Sequence, residues 1–202
     1  INALKRVQGD ASRKERDTRS FDLVRRCADA FTEQAAGVRL CTDAIQSKAV
    51  TSHDRAFAYA YRAMSRGFNL DEYKLALADS DKALQMNPNI AEAYFARGRI
   101  YAFRDFNRAV ENLNRALTLG LPQPLLAPTF SMRGHLQLLL ALKDKNNNLN
   151  ELAARDFTQA IKLDPSYEEA YRGRASAKKA MGQTAAAQGD LAQADRIKAQ
   201  KP

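Results

Sequence analysis

Four arginines occupy one recurring place in this sequence: Arg62, Arg97, Arg133 and Arg174 each stand immediately before a small residue, Ala63, Gly98, Gly134 and Ala175. Three aspartates keep step with them farther along the chain, Asp79, Asp156 and Asp190, while Asn112 takes that place in the remaining series. A guanidinium and a carboxylate match as two-pronged hydrogen-bonding partners. Two readings follow: a ladder of arginines for the acidic groups of a ligand, or internal pairs Arg62–Asp79, Arg133–Asp156 and Arg174–Asp190 that hold two segments together. The matched aspartates favour the pairs, each contributing about 1 kcal/mol or less if it is solvent-exposed.

Other reactive side chains are sparse. His53 lies in the polar stretch Thr51-Ser52-His53-Asp54, and His135 has no second histidine, cysteine or carboxylate at a ligand spacing, so no metal site is expected. Gly-rich phosphate loops, Gly-x-Ser-x-Gly and His-Glu-x-x-His are all missing. Neither an enzyme nor a bound cofactor is expected.

Composition narrows the class further. With 202 residues, 45% of them hydrophobic, the chain has enough apolar material for a real core, and 9 Gly, 6 Pro and 2 Cys exclude collagen-like and disulfide-dense scaffolds. Its longest uncharged apolar run, Leu136 to Leu142, falls far short of the roughly 20 residues that span a bilayer. A net charge of +9 suggests a polyanion partner until it is counted by segment. Residues 1–20 hold 6 basic and 3 acidic groups, residues 170–202 hold 7 and 2, and the 149 residues between them hold 19 and 18. The basicity belongs to the two ends. Polyanion binding through those ends, to RNA or an anionic surface, is the alternative function; no nucleic-acid partner is favoured.

The elements that must position the arginines show as a repeat. Aromatic and small residues four apart recur as Tyr59/Ala63, Tyr94/Gly98, Phe130/Gly134 and Tyr171/Ala175. Behind each comes a pair of alanines seven apart, Ala76/Ala83, Ala109/Ala116, Ala153/Ala160 and Ala187/Ala194, preceded by Tyr73, Phe106, Asn150 and Thr184. Small residues at these spacings let two helices approach closely, and the aromatics fill the wedge between neighbouring hairpins. Asn87-Pro88, Leu121-Pro122 and Asp164-Pro165 punctuate the ends. No strand signal is present.

Stretches such as Ala93-Tyr94-Phe95-Ala96-Arg97-Gly98 and Asp156-Phe157-Thr158-Gln159-Ala160-Ile161 resemble the tetratricopeptide repeat, and the resemblance covers residues 56–198. It implies an all-α, right-handed superhelical solenoid of antiparallel helix hairpins, with repeats over 56–90, 91–126, 127–167 and 168–198. An Asn-rich insertion at 143–149 is expected to form an exposed loop, and the last helix to act as a cap. Residues 20–50 read as a divergent first hairpin in which Cys27 and Cys41 face each other. They form either a disulfide, worth about 3 kcal/mol on a chain-entropy estimate, or two buried thiols. A bond would imply an oxidising compartment such as a bacterial periplasm, a localisation also suggested by a loose likeness to small exported bacterial proteins of this family; the cytoplasm is the alternative. Residues 1–19 read as a basic, frayed leader. The first residue is Ile1, so any signal peptide is expected to lie outside this chain.

What the resemblance implies about function is a concave groove lined by the first helix of each repeat, binding a protein or peptide segment as a scaffold or accessory subunit. The expected groove residues are Met64, Phe68, Phe95, Arg99, Phe103, His135, Leu138, Leu139, Arg172 and Lys179. The Lys/Asn pattern by which some members hold a chaperone's terminal carboxylate is missing at these positions, so an apolar or helical peptide is the better-matched partner. The alternative is that Phe95, Phe103, Leu138 and Leu139 fill the solenoid's own groove or pack under the N-terminal segment.

Overall fold

A computed structural model describes residues 2–67 and 69–200. Among them, ten α-helices and one short 3-10 turn follow one another without a strand. The helices are α1 (Asn2–Asp29), α2 (Gln34–Gln46), α3 (Ser52–Arg66), α4 (Tyr73–Met86), α5 (Ala91–Tyr101), α6 (Phe106–Leu119), α7 (Gln123–Asp144), α8 (Asn148–Leu163), α9 (Glu168–Ala180) and α10 (Thr184–Ala199).

Local chemistry sets these boundaries. Thr51 and Asp105 accept the amide hydrogens of Asp54 and Arg108 at the starts of α3 and α6, satisfying N–H groups that have no partner within the helix. Helices α4 and α8 stop at Asn87 and Asp164 in extended backbone, the conformation that a following proline imposes. The freed side-chain oxygens of Asn87 and Asp164 accept the amides of Asn89 and Ser166 and set the turn.

Two expectations need correction. The basic segment 1–19 is not a separate frayed leader: the backbone is helical from Asn2 and continues without a break into the first hairpin. Lys, Arg, Gln and Glu are good helix formers, and nothing between Asn2 and Asp29 stops the helix. The Asn-rich stretch 143–149 is exposed but is not an inserted loop. Helix α7 runs through Asp144 and α8 begins at Asn148, with Lys145 at a left-handed φ of 52° in the turn. The extra residues of this repeat lengthen its helices, and α7 reaches 22 residues, starting at Gln123 and carrying Pro128 inside.

The chain resolves into two compact units, residues 1–100 and 101–202. The division falls between the two helices of the second sequence repeat. In the first unit, α3 packs against α1, α2 and α4. One cluster gathers Cys27, Cys41, Ala44, Val50 and Ala58; a second gathers Ala56, Ala60, Ala83, Ile90 and Ala93. In the second unit, α7 packs on α6, α8 and α9, and α9 on α8 and α10. Its centre is Phe157, fully buried among Ala127, Ala153, Ala160, Ala170 and Ala177. Gly134 and Gly173 lie against the ring: a methyl at Gly134 would stand 2.9 Å from it, and one at Gly173 would overlap it.

Candidate protein-binding surface

The arginines sit at the junction of three helices. In the first unit Arg62 of α3 donates from Nε and Nη2 to the two carboxylate oxygens of Asp79 in α4, at 2.8 and 2.6 Å, and from Nη1 to Thr42 of α2 at 3.1 Å. In the second unit Arg133 of α7 does the same with Asp156 of α8, at 2.7 and 2.6 Å, while reaching Asn114 of α6 at 2.7 Å. Arg174 of α9 repeats it with Asp190 of α10, at 2.9 and 2.7 Å, and Thr158 of α8 at 3.3 Å. Each guanidinium also lies over the aromatic ring three residues before it, Tyr59, Phe130 or Tyr171, at 5.3 to 5.6 Å. Arg97 reaches back to Asp81 of α4 at 3.6 Å.

The aspartates of these forks are not exposed, in contrast to the surface pair assumed from the sequence. Asp156 and Arg133 side chains are 7% and 19% accessible, and the other two pairs are similar. Burial would push the Asp190 carboxyl up, but the hydrogen bonds from Arg174 and Lys178 outweigh it and hold the group below its ordinary range. The partners on the preceding helix were not anticipated: Thr42, Asp81, Asn114 and Thr158 all stand two residues before a buried alanine of their helix, Ala44, Ala83, Ala116 and Ala160. With one face on an aromatic ring and the N–H edge committed to two neighbouring helices, Arg62, Arg133 and Arg174 do not form a ladder for a ligand.

The expected groove residues scatter. Met64 is 0% and Phe95 3% exposed, so neither offers surface to a partner. Around Met64, helix α3 presents Ala56, Ala58, Ala60 and Ala63, which let neighbouring helices close over the thioether. The Phe95 ring is covered by the Arg99 guanidinium at 5.7 Å, and burial lowers the pKa of Arg99 to about 10. Phe68 lies outside the described residues. Phe103 is exposed in the turn before α6. In the first unit a carboxylate that the sequence reading passed over, Glu92, is buried and hydrogen-bonded to the Tyr61 phenol; desolvation raises both groups.

The second unit does bring expected residues together on one face. His135 packs edge-on against Phe157 with ring centroids 4.8 Å apart and its Nδ1 2.9 Å from the Ser131 carbonyl oxygen. One turn on, Leu138 is partly buried, Leu139 is 44% exposed and Leu142 is 78% exposed. Beside them lies an open cleft of about 470 Å3 between the C-terminal ends of α7 and α9 and the start of α8, lined by Leu138, Ala141, Leu142, Asn147, Asn150, Ser176, Lys179 and Ala180. Arg172 is held by Glu168 and Asp195 at 2.9 and 2.8 Å. No group of three His, Cys, Asp or Glu among the described residues could hold a metal, and no helix there is long and apolar enough to cross a membrane.

Cys27 of α1 and Cys41 of α2 are disulfide-bonded, both buried, with Cα atoms 4.6 Å apart.

No protein-family model matches the sequence, and no curated protein matches it. Solved structures do. A crystal structure of MamA superposes with a TM-score of 0.62 at 15% identity, covering 83% of this chain and 90% of that one. A second crystal structure of MamA gives 0.60 at 16% identity, covering 93% and 94%, and a MamA RS-1 double mutant gives 0.60 at 15%, covering 88% and 95%. The likeness establishes the fold as all-α and tetratricopeptide-like.

Proposed function

We propose that this chain is a non-enzymatic scaffold of the tetratricopeptide kind that holds a segment of a partner protein on the α7–α9 face of its second unit. One observation carries the reading. Leu138, Leu139 and Leu142 form an apolar strip at helical spacing beside an open cleft, with Leu139 and Leu142 exposed. Leucines grouped in this way around a concavity mark a contact surface. The disulfide between Cys27 and Cys41 supports a working place in an oxidising compartment, such as the periplasm of a bacterium.

The test is site-specific photocrosslinking in native extract. A benzophenone side chain at Leu139 or Leu142 should capture a discrete protein, and one at the exposed Leu191 of α10 should not. Equal capture at all three places, or none at the first two, refutes the reading.

A further inference from the structure

We infer that the cleft of the second unit is a socket for an apolar side chain carried next to a carboxylate on an acidic peptide segment of a partner protein. This rests on the scaffold reading and specifies the partner's chemistry. The column of the second helices that holds Tyr73 in α4 and Phe106 in α6 holds Asn150 in α8. A side-chain amide fills far less space than a ring, and the cleft opens at that place. Asn150 is 5% exposed, lines the cleft, and its amide makes no hydrogen bond to any described residue. The side-chain amide faces the open cleft with no partner from the chain, so it is free to donate to an acceptor that enters there.

The surroundings decide what that acceptor is. Lys179 also lines the cleft and has no ion pair among the described residues, whereas its neighbour Lys178 is committed to Asp190. Ser176 donates to the Arg172 carbonyl oxygen and is not available as a donor. No carboxylate lines the cleft, and Asn147 and Asn150 bring the positive N-terminal end of α8 to it, where Asn146 Oδ1 already accepts the Asn148 amide at 3.2 Å. One carboxylate can therefore meet the Lys179 ammonium and the Asn150 amide together. Leu138, Ala141, Leu142 and Ala180 receive the apolar side chain beside it. The ring that the first two repeats supply from within, at Tyr73 and Phe106, is supplied here by the partner.

Fluorescence anisotropy on the full chain tests this with a short labelled peptide carrying one phenylalanine flanked by glutamates, and the same peptide with glutamines as control. The glutamate peptide should bind about tenfold or more tightly than the control. Asn150→Phe, which installs the kind of ring found at Tyr73 and Phe106, and Lys179→Glu should each weaken it by about tenfold or more, with helical circular dichroism unchanged. Asn150→Leu replaces the first variant if that fails to fold. Equal binding of the two peptides, no binding of either, or unchanged affinity in the folded variants overturns the socket. Capture from Leu139 in extract is independent of this outcome, so a lost socket with persisting capture leaves the scaffold standing, and loss of both removes it.

Discussion

Replacing Asp156 by alanine should destabilise the second unit far more than removal of a surface ion pair. The substitution deletes both acceptors of the Arg133 fork, at 2.7 and 2.6 Å, and leaves a guanidinium that is only 19% accessible. Breaking a buried pair from one side costs about 3–5 kcal/mol, whereas an exposed pair costs about 0–1. Arg133 keeps Asn114 at 2.7 Å and its stack on Phe130, which reduces the loss. We expect about 2–3 kcal/mol from these values. For a chain of this size that lowers Tm by about 4–12 °C. Urea unfolding followed by circular dichroism measures it, alongside Arg133→Met and the double variant. Because the stranded charge is the main cost, the double variant should recover stability relative to Asp156→Ala alone, with a coupling energy of about 1 kcal/mol or more. Asp156→Asn, which installs the residue found at position 112, should cost less than alanine. A loss below about 1 kcal/mol with no coupling would refute the three-helix fork as a stabilising device.

Further outcomes follow from the same geometry. Gly173→Ala forces a methyl into the Phe157 ring and should cost about 1–3 kcal/mol, read as a lower urea midpoint; a neutral result would mean that the ring moves freely. Cys27→Ser with Cys41→Ser should lose about 3 kcal/mol, and mass measurement with and without reductant should differ by two hydrogens for the wild type alone. Asp190 has a folded pKa below its ordinary 3.8, so the stability it contributes is fully present well above that value and is lost as pH falls through it. Acid titration of wild type and Asp190→Asn should show a steeper loss below that point in the wild type.

The hairpin framework was legible because the spacing of aromatic and small residues is itself the packing requirement, and because a residue before proline, such as Asn87 or Asp164, is forced out of the helix. The alignment of Arg62, Arg133 and Arg174 with Asp79, Asp156 and Asp190 is likewise a matter of columns within one repeat. Partners such as Thr158 for Arg174 belong to the preceding repeat, and comparing columns inside a repeat does not expose them. Met64 and Phe95 were misplaced for a different reason. A family position gives the direction in which a side chain starts, but the residues around it decide whether neighbours cover it. Asn150 stands in plain view as a polar residue in the column that holds Tyr73 and Phe106, but its meaning depends on the space left around it, which only the packing of α7, α8 and α9 defines.

The forks also change what counts as an exchangeable piece of this protein. Helix α8 carries Asp156, which answers Arg133, and Thr158, which answers Arg174, so it is shared property of two successive hairpins. Excising the α7–α8 segment as a cassette would remove the Thr158 acceptor of Arg174 and the guanidinium that meets Asn114. Nearest-neighbour coupling of this sort makes unfolding spread between the hairpins of the second unit rather than stay within one repeat.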